Sequence, residues 1–279
     1  MITIFKISYF ILLLTKNVNS FKFQNKNFGT ITYQYSYYKN TKIYGKKKND
    51  DITSITDTDL TNNKKLYIPK SKNQVTYMES LNDKNIDLLF CLGPAGTGKT
   101  LFACNYAIKR LRENSIKKII ITRPTITIEE NMGYLPGDIN DKMQPFMNPI
   151  YDIFLENYTQ KEIESLRNNN VLEVVPLGFI QGRTFKNSII IADEMQNSTP
   201  NQMFMLLTRI GENSKMILTG DPLQTVNENN GLIDIITKLN KNYDNDDDIY
   251  NDGIKIIKME ALDIQRHKLV AKINYLYKR

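Results

Sequence analysis

The sequence predicts a three-layer α/β fold, in which helices cover both faces of a mainly parallel β-sheet. Apolar runs with the length of buried strands alternate with segments of helical spacing from about residue 69 onwards. A glycine-rich loop at residues 93–100 stands between the first of these strands and a helix. A later apolar strand, residues 188–192, runs into the acidic pair Asp193–Glu194. These three observations favour a sheet whose strand ends carry the functional residues.

The remaining elements follow in chain order. The predicted strands cover residues 86–92, 117–124, 171–177, 188–192, 215–220 and 254–259. The predicted helices cover residues 73–81, 101–111, 143–155, 200–210 and 263–277, the third of them kinked by Pro145 and Pro149. The acidic segment 244–252 is expected to be a solvated loop.

The loop fits the pattern G-x-x-x-x-G-K-[ST] at every required position. Its residues are Gly93, Pro94, Ala95, Gly96, Thr97, Gly98, Lys99 and Thr100. Glycines let the backbone wrap closely around a phosphate chain, and the following helix adds positive potential at the same place. Lys99 is expected to reach the β- and γ-phosphates, and the hydroxyl of Thr100 to bind Mg²⁺. The strand before the loop and the helix after it distinguish this motif from a chance glycine turn.

The strand that ends in Asp193–Glu194 has the Walker B pattern. Asp193 is expected to join the Mg²⁺ shell, and Glu194 to polarise the attacking water. An apolar strand followed by acidic residues is common by itself, but here it accompanies a phosphate-binding loop in the same chain.

Three further residues are weaker candidates. Gln74, at the start of the first helix, could hydrogen-bond an adenine edge, because its amide offers both a donor and an acceptor; the alternative is a solvated side chain. Asp221 and Gln224 follow another strand and could sense the γ-phosphate. The alternative for this pair is a turn built by the sequence Gly-Asp-Pro.

The first 68 residues are predicted to be a disordered, low-complexity leader, and residues 69–279 to be one ATPase domain. Residues 1–72 contain 13 Lys, no Arg and four Asp, a net charge of +9, although the whole chain carries only +7. The basic charge therefore belongs to the leader and does not indicate a nucleic-acid-binding domain. An apolar run at residues 2–14 followed by a basic stretch suits a secretory signal and a plastid-type transit peptide. A poorly ordered apolar N-terminus with a solvated Asn/Lys-rich tail is the alternative.

Cysteine and histidine usage excludes several kinds of site. Cys91 and Cys104 flank the glycine-rich loop and are expected to be small core residues, not a disulfide or metal site. His267 is the single histidine, so a Ser–His–Asp triad or a histidine-based metal centre elsewhere is excluded by count.

Residues 69–279 resemble the PhoH-like P-loop ATPases, a family close to the core of superfamily 1 helicases. The motifs that carry the resemblance lie at residues 93–100, 122–124, 133–138, 149–152, 182–185, 193–197, 207–211, 214–216, 219–222, 224 and 266–267. The chain departs from the family pattern at Gln181, where Arg is usual, and at Met195, where Ala is usual. The segment 225–231 is shorter than the family's loop. The leader lies outside this match and resembles bipartite leaders of the apicoplast type, with a cytoplasmic location as the alternative.

The resemblance implies an Mg²⁺-dependent ATPase with a RecA-like fold, ATP as ligand and a link to RNA metabolism. The alternatives are a nucleotide-gated binding module with little hydrolysis, and an RNA helicase or remodeller. The chain has no room for a second RecA-like lobe, so a catalytic arginine is expected from a neighbouring subunit of a homo-oligomer. Arg183, Arg209 and Arg266 are the candidates. RNA or another single-stranded nucleic acid is a candidate partner, and no stable membrane association is expected once the leader is removed.

Overall fold

The computed structural model describes residues 19–25, 29–35, 67–124, 148–224 and 230–265. The chain forms two compact units, residues 1–46 and residues 47–279. In the first unit, strands β1 (Asn19–Asn25) and β2 (Gly29–Tyr35) pair antiparallel. Composition alone predicts no regular structure here, but apolar and polar residues alternate through both segments. That period of two is typical of a strand.

The second unit contains the elements that position the site. Its strands are β3 (Leu88–Leu92), β4 (Lys118–Arg123), β5 (Leu172–Pro176), β6 (Ser188–Ala192), β7 (Lys215–Gly220) and β8 (Ile254–Lys258). Its helices are α1 (Lys72–Asn82), α2 (Lys99–Arg112), α3 (residues 148–155), α4 (Gln160–Asn168), α5 (Pro200–Leu207), α6 (Gly231–Asn242) and α7 (Asp246–Asn251).

These six strands form one sheet in the order β5-β4-β6-β7-β3-β8, and every neighbouring pair in it is parallel. The carboxyl ends of β3, β4, β6 and β7 therefore meet at one edge. Because neighbouring strands are parallel, each connection must cross a face of the sheet, and this covers both faces with helices. The predicted α/β class and parallel sheet are confirmed.

The strands are buried on both faces, which explains their nearly continuous apolar sequences. In β4, Ile119 and Ile121 pack into one hydrophobic cluster, whereas Ile120 packs into the cluster on the opposite face. The first cluster includes residues of α1–α4, and the second includes residues of α5 and α6. The layers are thus helices, sheet and helices. Cys91 and Cys104 are buried, free thiols of the first cluster, as expected.

One predicted loop is a helix. Residues 246–251 of the acidic segment form α7, because the Asn245 side chain accepts hydrogen bonds from the backbone N–H groups of Asp247 and Asp248. The three aspartates in its first turn also lie near the positive end of the helix dipole. The acidic composition that suggested a loop is therefore suited to a helix start.

Several predictions lie outside the described residues: the loop at 133–138, the start of the helix predicted at 143–155, and most of the closing helix after residue 265. Among the described residues, none of the helices combines the length and the apolar character needed to cross a bilayer.

Candidate active site

The glycine-rich loop connects β3 to α2 at the carboxyl edge of the sheet. Gly93, Gly96 and Gly98 have φ values of 140°, 86° and 89°, which favour glycine over any residue with a side chain. Gly98 is the N-cap of α2 and provides no capping side chain, so the first N–H groups of this helix are available to a ligand. This cradle of backbone donors at a helix start fits a phosphate group.

Lys99 begins α2 and folds back over the loop. Its Nζ donates to the carbonyl oxygens of Gly93 and Pro94, at 2.6 and 2.8 Å. Burial lowers the pKa of Lys99, and nearby acidic groups act in the opposite direction. Two carbonyl oxygens of the loop thus accept hydrogen bonds from the ammonium group.

Thr100 meets the Walker B aspartate. Its Oγ1 donates to Asp193 Oδ1 at 2.7 Å, and Thr219 Oγ1, at the end of β7, donates to the same oxygen at 2.5 Å. Asp193 is almost completely buried. These are hard oxygen donors of the kind that Mg²⁺ prefers, and Mg²⁺ usually keeps several waters, so a site with few protein ligands fits it. The described residues contain no cluster of three or more His, Cys, Asp or Glu side chains that could hold a metal ion.

Glu194 is held from two sides. Arg123, the last residue of β4, places Nη2 at 3.2 Å from Glu194 Oε1 and at 3.7 Å from Asp193 Oδ2. Gln196 donates through Nε2 to Glu194 Oε2, at 2.5 Å, and accepts the backbone N–H of Asp221 through Oε1. Glu194 itself adopts the left-handed region, at φ 56°, which is uncommon for a residue other than glycine.

Asp221 and Gln224 differ in their surroundings. Asp221 is buried at the end of β7, and its Oδ1 accepts the backbone N–H of Leu223, a contact that belongs to the turn. Gln224 is exposed. The turn expected from Gly-Asp-Pro is present, and a role for either residue in sensing phosphate stays a prediction.

Gln74 is buried, and its amide is fully engaged by the backbone. Nε2 donates to the carbonyl oxygens of Thr97 and Asp263, at 3.1 and 3.2 Å, and Oε1 accepts the N–H of Lys70 at 2.7 Å. Gln265 adds a backbone hydrogen bond to Gly96, at 3.0 Å. Gln74 is therefore not solvated: it joins α1, the loop and the segment after β8, and its contact with an adenine edge stays a prediction.

The three candidate arginines are not brought to the loop within the described residues. Arg183 pairs with Glu173 at 2.5 Å and lies over the ring of Phe185, before the start of β6 and thus at the opposite edge of the sheet. Arg209 donates to the carbonyl oxygen of Arg183. Arg266 lies outside the described residues, although its neighbour Gln265 contacts the loop.

Three residues of the site were not predicted: Arg123, Gln196 and Thr219. Each follows or ends a strand whose carboxyl end lies at the same edge, and this position was the signal that could have identified them. All three also belong to the motifs that carry the family resemblance, but the motifs assign them no partner. Only the order of the strands shows that all three converge on Asp193 and Glu194.

Sequence comparisons with known proteins point to one family. Residues 67–278 match the family model described as PhoH-like protein. A PhoH-like protein of Bacillus subtilis is 37% identical over 241 residues, which cover 85% of this chain and 72% of the relative. A PhoH-like protein of Synechocystis is 38% identical over 195 residues, 69% of this chain and 57% of the relative. The protein PhoH of Escherichia coli is 35% identical over 159 residues, covering 56% of this chain and 44% of the relative.

Among solved structures, the large terminase of a thermophilic bacteriophage aligns with a TM-score of 0.42 and 13% identity, covering 74% of this chain and 49% of the terminase. The Pif1 helicase of Candida albicans aligns with a TM-score of 0.33 and 15% identity, covering 70% of this chain and 40% of the helicase.

Of the three sequence relatives, those of Synechocystis and Escherichia coli are matched over less than two thirds of their own length. The family model spans most of this chain, and with the sequence relatives it shows that the chain belongs to the PhoH-like family.

Proposed function

We propose that this protein is an Mg²⁺-dependent ATPase. The observation that carries the proposal is the contact between Thr100 and Asp193, at 2.7 Å, with Lys99 and Glu194 at the same edge of the sheet. Phosphoryl transfer depends on positioning and on neutralising charge, and these four residues are the types that supply both.

Each residue has a distinct part in the proposed reaction. The loop N–H groups and Lys99 bind the phosphate chain, and Thr100 and Asp193 hold Mg²⁺, which neutralises negative charge on the phosphates when it is bound. Glu194 accepts a hydrogen bond from the attacking water and orients it. To bind the phosphate chain, Lys99 must leave the carbonyl oxygens of Gly93 and Pro94. Ligand binding therefore exchanges two internal hydrogen bonds for bonds to phosphate.

Turnover by three variants tests the proposal. We expect Lys99→Ala and Glu194→Gln to lower the rate of ATP hydrolysis by at least about 100-fold, the scale for removing a group that stabilises transition-state charge. Lys109→Ala is the matched control, since Lys109 lies on the same helix but its side chain is exposed and pairs with Glu113. Equal rates in all four proteins with Mg²⁺ present would contradict the proposal.

A nucleotide-gated binding module is the second candidate, because Lys99 and Glu194 are both engaged by protein atoms. In that case the wild type binds ATP and Lys99→Ala does not, but neither protein hydrolyses it. The link to RNA metabolism also remains a proposal. Stimulation of turnover by single-stranded RNA would favour an RNA-dependent ATPase or remodeller, whereas an unchanged rate would remove this support.

Homo-oligomerisation is proposed on the ground that an arginine could come from a second subunit. Native mass measurement of the active protein tests it. A strict monomer with a normal rate of hydrolysis would contradict an arginine supplied in trans.

A further inference from the structure

Arg123 is the cation closest to the Walker B carboxylates among the contacts of the described residues. It ends β4, the strand next to β6 in the sheet, and the N–H of Asp193 donates to the carbonyl oxygen of Thr122 at 2.9 Å. The backbone therefore fixes Arg123 beside the acidic pair. Its side chain is 20% exposed, enough to be reached from the crevice. Its position is set by strand order and not by a surface loop.

The contacts of Glu194 suggest what this cation does. Oε1 faces Arg123 and Oε2 accepts from Gln196, so both oxygens of the carboxylate are engaged without any ligand. A carboxylate that is already engaged by an ion pair and a hydrogen bond is a poorer acceptor for a water proton. In this arrangement Glu194 is restrained and cannot act freely as the group that orients water.

Lys99 is likewise engaged by protein oxygens without any ligand. Its ammonium group binds two loop carbonyl oxygens, and the guanidinium of Arg123 binds the carboxylates of Glu194 and Asp193. Both cations of the site are thus bonded to protein oxygens. A guanidinium group matches phosphate as well as carboxylate, because its N–H donors form a planar fork. A terminal phosphate therefore offers Arg123 an equivalent partner with more negative charge.

We propose that Arg123 is the arginine that contacts the terminal phosphate of the bound nucleotide, and that its pairing with Glu194 restrains this carboxylate until the phosphate replaces it. The inference rests on the proposed function, since it concerns the same site. It supplies the catalytic arginine from this chain, where the sequence predicted one from a neighbouring subunit. Only hydrogen bonds and ion pairs are exchanged: Arg123 keeps its charge, and Glu194 becomes free to accept from water.

The affinities for ATP and ADP test this assignment separately from turnover. In Arg123→Ala, we expect the affinity for a non-hydrolysable ATP analogue with Mg²⁺ to fall by about 10- to 100-fold, the range for losing one charge-assisted hydrogen bond. The affinity for ADP should change by less than about threefold, because ADP lacks the terminal phosphate. Arg123→Lys should recover part of the loss, since the ammonium keeps the charge but not the fork. In both Arg123 variants, the rate of ATP hydrolysis should fall together with the affinity for the ATP analogue.

Arg110→Ala is the matched control, since Arg110 pairs with Glu113 at 3.3 Å on the surface of α2. Thermal unfolding of each variant without nucleotide shows whether Arg123→Ala folds, and Arg123→Lys carries the test if it does not. An unchanged ratio of ATP-analogue to ADP affinity, or a faster turnover in Arg123→Ala, would overturn the proposal. If the wild type binds neither nucleotide, the proposed function fails; if it binds and hydrolyses ATP but the ratio is unaffected, only this inference fails.

Discussion

Gln74 joins three separate parts of the chain through one buried amide. Its Nε2 donates to the carbonyl oxygens of Thr97 and Asp263, and its Oε1 accepts the N–H of Lys70. A side chain with this role stabilises the loop without touching the ligand. A side chain that reads adenine would instead need its donor and acceptor free to face the base. Measurements of stability and of base selectivity distinguish a structural link from a contact with the base.

We expect Gln74→Ala to lower the free energy of unfolding by about 2–3 kcal/mol, because two carbonyl groups and one N–H lose their buried partner. The preference for ATP over GTP should stay unchanged. Chemical denaturation and competition binding measure the two quantities. The exposed Gln160, whose Nε2 donates to Glu164, is a matched site for a control Gln→Ala change. A loss of base preference with wild-type stability would show that Gln74 reads the base.

Lys215 is a charged side chain buried at the start of β7. Its Nζ donates to the carbonyl oxygens of Ser80, Leu81 and Asp83, at 3.2, 2.9 and 2.6 Å, and so closes the end of α1. Burial lowers the pKa of Lys215 from 10.5 to about 8, with Asp83 and Asp87 opposing the shift. The lysine thus supplies hydrogen bonds to orphan helix carbonyls at the expense of desolvating a charge.

This pKa predicts how stability depends on pH. Below pH 8 the lysine is protonated in the folded and unfolded states, so it adds no pH dependence. Between pH 8 and 10.5 the unfolded chain binds more protons, so the free energy of unfolding rises with pH, by up to about 3 kcal/mol. Comparing wild type with Lys215→Met over this window isolates the effect, and Lys238→Met is an exposed control. A difference between wild type and Lys215→Met that does not vary with pH would contradict the assignment.

At the scale of elements, the loop depends on the end of β8. The N–H of Met259 donates to the carbonyl oxygen of Leu92, and a Cβ added to Gly93 would lie 2.3 Å from the carbonyl oxygen of Met259. Gly93 therefore has two reasons to be glycine: its φ of 140° and the approach of another backbone. The phosphate-binding motif requires the glycine, and the neighbouring strand makes it hard to replace.

We expect Gly93→Ala to lower the free energy of unfolding by about 2–4 kcal/mol, because it adds backbone strain to a clash that no side-chain movement can relieve. Nucleotide affinity should fall in the same variant. Gly178→Ala is the matched control, since a Cβ at Gly178 has no atom within 4 Å and no positive φ is required there. Denaturant titrations compare the two variants. Equal stability in both would contradict this account of the loop.

At the scale of the whole molecule, charge is divided unevenly along the chain. Residues 1–66 contain 11 Lys and four Asp, and the rest of the chain contains 26 basic and 26 acidic residues. With balanced charges, residues 67–279 offer little general attraction for phosphate backbones, whereas residues 1–66 offer a strong one. Binding of RNA by the full chain could therefore come from residues 1–66 and would say little about the candidate active site.

We expect removal of residues 1–66 to weaken binding of single-stranded RNA and to reduce its salt dependence. The slope of log affinity against log salt should decrease by about 0.7 for each RNA phosphate that the shortened protein no longer neutralises. Fluorescence anisotropy over about 50–200 mM salt measures both quantities. Replacing Lys46, Lys47 and Lys48 by Gln in the full chain should give an intermediate result. An unchanged affinity and slope after truncation would place the RNA-binding surface in residues 67–279.

The sequence by itself determined the fold class and the local chemistry of the site. The strands can be recognised as apolar runs in the sequence, because strands covered on both faces need apolar residues at nearly every position. The loop at 93–100 and the pair Asp193–Glu194 can be recognised because each motif consists of particular residue types at fixed local spacing. The family resemblance rests on the same local motifs.

Only the tertiary structure decided how these motifs are connected. Arg123 and Thr219 lie 70 and 26 positions from Asp193, and they meet it because β4 and β7 are the strands on either side of β6. Gln74 links separate backbone segments for the same reason. The order of strands in a sheet depends on long-range packing, which no local spacing records. Arg123 was therefore not visible in the sequence as a partner of Asp193 and Glu194.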